Sequence, residues 1–226
     1  MNQFNKFHSA ISIEKLSDSS FKITPDRDYF VGNTPHGGYL KAVMNNALVT
    51  CLPHSTSISS SIQYLDRTEA KDAFLEVDIL KVGRGSSSGF VKLIQDDKVR
   101  ATLTGTCSDF EHMKGFDGLN TAMPEIFNDD NHNQYKSLNY DMISEGFTPS
   151  FIKQLDCRVH PNHAWWDRPD REESAEARCS AFLEMSGGLA DQFCLFYYSE
   201  SELFHGFPIM KFGKFRNNVI AHFCAK

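Results

Sequence analysis

Between Gly37 and Leu52 the apolar residues Leu40, Val43, Met44, Ala47, Leu48 and Cys51 recur at spacings of three and four. That period predicts one helix with a continuous apolar face, opened by Gly37-Gly38-Tyr39 and stopped by Pro53. Beyond Pro53 the period falls to two. In Ala73–Val82, Leu75, Val77 and Ile79 alternate with Glu76 and Asp78, and in Val99–Cys107, Val99, Ala101, Leu103 and Gly105 alternate with Arg100, Thr102 and Thr104. With Thr56–Leu65 and Ser86–Ile94 these make four strands, joined at Gly83-Arg84-Gly85 and Asp96-Asp97. Two short strands around Ser17-Asp18-Ser19-Ser20 precede the helix. A long apolar helix followed by antiparallel hairpins predicts an α+β domain in which the sheet wraps the helix.

The second half is less regular. Residues 111–150 carry Gly115, Gly118, Pro124, Pro149 and the polar run Asn128–Asn133, so they are expected to link two units, 1–110 and 151–226. Strands are expected over Phe151–Val159 and Glu176–Met185. A turn at Ser186-Gly187-Gly188 leads to a helix over Ala190–Ser199, with Asp191 as its cap, and a last strand covers Asn218–Phe223.

Composition narrows the class. With 23 basic against 29 acidic residues the net charge is −6, which argues against nucleic acid or an anionic membrane surface as partner. An apolar content of 41% with 23% charged residues is that of a folded globular protein, and the 19 Phe suit a filled core or a wall for an apolar ligand. Six scattered cysteines, no leader-like start and a Cys-Ala-Lys ending in place of Ser-Lys-Leu fit an intracellular, cytoplasmic location. No apolar run nears the roughly 18–20 residues that cross a bilayer.

Three blocks then resemble a known family. Phe30–Leu40 (FVGNTPHGGYL), Ile79–Ser88 (ILKVGRGSSS) and Val91–Asp97 (VKLIQDD) are similar, in order and spacing, to the helix entry and hairpin of acyl-CoA thioesterase II-like double hot-dog proteins. More weakly, Ala181–Glu184, Gly187-Gly188, Asp191–Glu202 and Val219–Phe223 resemble the opening of that family's second hot dog. The resemblance implies a double hot-dog fold and hydrolysis of acyl-CoA thioesters, in lipid metabolism, without a cofactor. It also implies three further strands after Val219–Phe223. The expectation is therefore an incomplete, truncated second unit whose open edge favours homo-oligomers, and the rival expectation is an inactive acyl-binding or interaction protein derived from a thioesterase.

The chemistry can be placed on residues. Thioester hydrolysis needs donors for an oxyanion, and a helix N-terminus offers unpaired N–H groups and a favourable dipole. Gly37 and Gly38 are the expected oxyanion residues, since without a Cβ they admit a carbonyl closely. His36 and Tyr39 flank them as substrate contacts. In the family a carboxylate on the second helix activates water, and the alignment puts Glu200 there. Arg84, with Lys81 and Lys92, is the expected contact for coenzyme A phosphates. The pairing of His36 with Glu200 would also suit a dehydratase. Cys157-Arg158-Val159-His160-Pro161-Asn162-His163 has the donors of a metal site, but Pro161 breaks helical spacing and no second pair stands out, so no metal is expected.

Overall fold

The computed structural model describes residues 1–113, 136–137, 149–159, 178–188, 190–199, 209–215 and 218–224. The first unit starts with helix α1, Gln3–Ala10, whose N-cap Asn2 accepts from the Asn5 amide at 2.9 Å. Sequence reading passed over α1; Asn2 as cap and Phe4, Phe7 and Ile11 at helical spacing are its signal. Strands β1 (Glu14–Lys15) and β2 (Ser20–Ile23) form the first hairpin, and β3 (Phe30–Val31) and β4 (Thr34–Pro35) the second. Helix α2 runs over Gly37–Cys51, followed by β5 (Thr56–Tyr64), β6 (Ala73–Val82), β7 (Ser86–Gln95) and β8 (Lys98–Ser108), within a residue of the expected bounds.

The large sheet is antiparallel with the order β1-β2-β6-β7-β8-β5. The chain leaves β2 on one side, crosses as α2, and re-enters at the opposite edge as β5. The sheet must therefore curl over the helix. Its inner face is set by the period-two pattern: Leu75, Val77, Val91, Leu93, Ala101 and Leu103 are buried against Val43, Met44 and Leu48. Gly89 and Gly105, paired across β7 and β8, lie where any Cβ would strike Leu48, so their bareness lets sheet and helix approach. The β7–β8 turn needs left-handed backbone at both Asp96 (φ 53°) and Asp97 (φ 58°), conformations that short Asx side chains tolerate.

The second unit holds β9 (Lys136–Ser137), β10 (Asp156–Val159), β11 (Arg178–Glu184), helix α3 (Gln192–Ser199), β12 (Ile209–Phe215) and β13 (Asn218–Cys224). Its antiparallel sheet has the order β12-β13-β11-β10-β9. Three findings differ from the sequence reading. Among the described residues two strands follow α3, not one, since the run Ile209–Phe215 forms a hairpin with β13. Ser150–Gln154 is a 3-10 turn ahead of a shorter strand. Lys136–Ser137, within the expected linker, pair with β10.

Helix α3 lies antiparallel beside α2. At one end the Gln192 side chain accepts from the Ser57 amide (2.7 Å) and donates to the Ser55 carbonyl (3.0 Å), just past the end of α2; at the other, the Tyr197 backbone meets Gly38. With sheet on one side and α1 and α3 on the others, α2 is buried nearly all round, Tyr39, Ala42 and Asn45 included. Among the described residues no helix is long and apolar enough to cross a membrane.

Candidate functional site

The start of α2 is where the candidate residues gather. His36 occupies the N-cap position, and its side chain makes no capping bond. The preceding hairpin fixes this entry, because the His36 amide donates to the Tyr29 carbonyl at 2.8 Å. The His36 ring is 1% exposed, stacked on Phe151 with centroids 4.3 Å apart and edge-on to Tyr197 at 5.2 Å. It is thus held by residues of the second half of the chain.

The two glycines differ. Gly37 is half-buried, and a Cβ there would stand 2.8 Å from the Tyr64 hydroxyl, the tip of an exposed side chain. Gly38 is buried, and a Cβ there would collide with the Tyr197 carbonyl and stand 3.0 Å from that of Phe196. The end of α3 therefore closes over Gly38, while Gly37 keeps one side toward the surface. Carbonyls at the end of α3 also bring the negative end of its dipole to the positive end of α2.

Tyr39 is committed to packing. Its hydroxyl donates to the Ala10 carbonyl (2.9 Å) and accepts from the Asp26 amide (3.1 Å), its ring stacks on Tyr29 at 5.1 Å, and burial pushes its pKa up to about 12. Arg84 is exposed on the β6–β7 hairpin, which the Ser108 hydroxyl ties down by donating to the Gly85 carbonyl at 2.6 Å. Ser108 pairs with Thr56, just beyond the C-terminus of α2. Arg84 and Gly37 thus stand at opposite ends of a 15-residue helix, about 22 Å long at 1.5 Å per residue. Lys92, expected beside Arg84, pairs with Asp78 at 3.2 Å. Glu200 lies outside the described residues, but Tyr197, three residues before it, is the residue packed on Gly38. Most of Cys157–His163 also falls outside them.

Asp191 caps α3 as expected, one carboxylate oxygen accepting from the amides of Phe193 and Cys194, both at 3.0 Å. Its other oxygen faces His8 Nε2 at 3.0 Å, which clips α1 to α3. With Cys194 these side chains place three donor atoms within 4.8 Å of one another, the grouping that could hold a metal ion. Burial first, and then the Asp191 charge, push the Cys194 thiol up to about 12, so it stays protonated within the fold.

Sequence reading missed a cleft of about 340 Å³ beside the loop that enters α2, lined by Arg27, Asn33, Arg67, Glu69, Ala70 and Lys71. No local motif marks it, because its residues come from three separate segments.

A curled antiparallel sheet around a central helix, with a second sheet and helix packed against it, defines a hot-dog protein. Residues 25–108 match the family described as the acyl-CoA thioesterase N-terminal domain. Among solved structures, a candidate thioesterase II from Thermobifida fusca is similar at 17% identity and a TM-score of 0.70, over 92% of this chain and 77% of that one. A hot-dog protein of unknown function from Alicyclobacillus acidocaldarius is similar at 13% identity and 0.69, over 92% and 75%. The tesB protein of Mycobacterium avium subsp. paratuberculosis is similar at 14% and 0.60, over 88% and 69%. At these identities the likeness is one of fold. A comparison with curated proteins finds no match.

Proposed function

We propose that this protein hydrolyses acyl-CoA thioesters to a free acid and coenzyme A. The observation that carries the reading is the start of α2: it lies within the segment matching the acyl-CoA thioesterase domain, has no side-chain cap, and has Gly37 half-open at its tip. In this reading the thioester carbonyl points at the Gly37 amide, where the helix dipole and a fixed N–H stabilise the developing oxyanion. Glu200 is the proposed general base, supported by the seating of the end of α3 on Gly38. Gly38 supports the arrangement by letting α3 come that close. Both halves of the chain contribute.

The sealing of Gly38 beneath α3 favours a second reading, a protein that binds acyl thioesters without cleaving them. Free-thiol release from a series of acyl-CoAs separates the two. Turnover that falls at least about a hundredfold in Glu200→Gln supports the hydrolase. Absence of turnover at every chain length, with binding unchanged in that variant, establishes the binder instead.

A further inference from the structure

We infer that the cleft between Arg27 and Arg67 receives the phosphate groups of coenzyme A. This rests on the thioester reading for its ligand and on the charge pattern for its location. Every acid near the cleft already has a cationic partner or a local role. Asp28 pairs with Lys6 and Asp66 with Arg100, while Lys71 holds both Glu69 (3.0 Å) and Asp96 (2.6 Å). Asp26 accepts from the Asp28 amide at 2.9 Å. Arg27 and Arg67 are left over: among the described residues neither forms an ion pair, and both line the same cleft. In a chain whose net charge is −6, two uncompensated guanidiniums around one concavity mark an anion site.

The geometry suits phosphate in particular. Arg67 donates its Nε–H to the Thr34 hydroxyl at 2.8 Å, which fixes the plane of the guanidinium and leaves its two terminal amino groups to grip an oxyanion in fork fashion. The Arg27 guanidinium carbon lies 6.0 Å from the centroid of the Phe30 ring, over its face, a cation–π contact that restrains the charged group at the cleft. Asn33 adds an amide from the loop between β3 and β4.

Position completes the argument. Thr34 is three residues ahead of Gly37, and Tyr64, whose hydroxyl neighbours Gly37, is three residues ahead of Arg67. Both walls of the helix tip therefore run on into the cleft. A thioester carbonyl at Gly37 would send its pantetheine arm along this wall and its phosphates between the two arginines. Arg84, at the other end of α2, has no such continuity with the tip.

Titration of the full chain with adenosine 3′,5′-bisphosphate, the nucleotide end of coenzyme A, reads the cleft without turnover. Binding should weaken about tenfold in Arg27→Ala and in Arg67→Ala, and fall as salt is added. Both side chains are exposed, and the melting temperature checks that each variant is folded. Wild-type affinity in both variants overturns the assignment, as does loss of binding in Arg84→Ala alone. The KM for an acyl-CoA and for the matching acyl-pantetheine, which lacks phosphate, then separates the two layers: Arg67→Ala should raise only the first. Nucleotide binding lost in both variants, in a protein that cleaves neither thioester, upholds the cleft and removes the hydrolase. Cleavage of both thioesters with one KM, unaffected by either variant, upholds the hydrolase and removes the cleft.

Discussion

The two helices answer the same problem, four unpaired amides at a helix start, in different ways. Helix α3 uses its own sequence: Asp191 accepts from the amides of Phe193 and Cys194, and His8 balances the remaining oxygen. Helix α2 begins at His36 with no side-chain cap. Their buried faces differ as well. That of α2 is built mainly from Leu40, Val43, Met44, Ala47 and Leu48, with Tyr39 its one buried group carrying an ionisable proton, whereas α3 buries three such groups, Cys194, Tyr197 and Tyr198. The difference teaches where chemistry can reside. A carbonyl seeking N–H donors finds those of α3 taken, and α2, held rigid by sheet on one side and α3 on the other, is the beam that can present an uncapped end.

Raising the pH should break the α3 side first, and this is the largest effect expected. Burial pushes Cys194 up to about 12 and drives Tyr197 and Tyr198 above their ordinary value; Cys107, beneath the sheet, is pushed up to about 11 and Tyr39 to about 12. The folded protein thus keeps protons that the unfolded chain has lost. Stability is whole below the ordinary thiol range near pH 9, and declines as pH climbs toward the folded values. Each such group removes about 1.4 kcal/mol per pH unit once the unfolded form is ionised, so several together amount to several kcal/mol by about pH 11. Urea midpoints measured from pH 7 upward should be level to about pH 9 and then fall steeply. Amides of α3 should exchange earlier than those of β6 to β8. A level midpoint through about pH 11 would contradict the burial of these groups.

The glycines sharpen the comparison next. In Gly38→Ala the methyl meets the backbone carbonyl of Tyr197, which cannot swing aside without lifting α3, and a loss of about 3 kcal/mol is expected. In Gly37→Ala the obstacle is the Tyr64 hydroxyl, the far end of an exposed side chain and not a backbone group. That variant should melt near the wild-type temperature yet lose thioester turnover. Thermal melts paired with thiol release separate the two, and equal stability losses would show that both glycines serve only packing.

Much of the first unit was legible because the apolar period reports burial directly: α2 and β5 to β8 each have one dominant partner surface. Where a segment is buried on several sides, as α3 is, the period fades, and the sequence of Ile209–Phe215 has no regular alternation to announce a strand. Helix α1 was readable from Asn2 and the Phe4, Phe7 and Ile11 spacing, but an eight-residue helix gives little signal. The site was legible at the glycines, whose type implies close approach, though not which neighbour approaches. Tyr39 and His36 looked like ligand contacts because they flank the glycines. Their burial against Tyr29, Phe151 and Tyr197 depends on contacts from distant segments. Charge complementarity is equally non-local: Arg84 stands in a conspicuous motif at the far end of the helix, while Arg27 and Arg67 meet only in the folded chain.

The smallest effect belongs to the cap itself. Asp191→Ala removes the acceptor for two amides of α3 and the partner of His8, and helix caps of this kind are worth about 1 kcal/mol. At this chain length that lowers the melting temperature by about 2–4 °C. Asp191→Asn keeps a side-chain oxygen for the cap while discarding the charge facing His8, so it isolates the ion pair, which is a third exposed on both sides and worth less than the cap. If α3 only braces α2, both variants should lose stability in that order and leave the KM for the thioester unchanged, because Gln192 still anchors the start of α3 to Ser55 and Ser57. A KM that rises in Asp191→Ala with no change in melting temperature would show the opposite: that the start of α3, and not that of α2, faces the substrate.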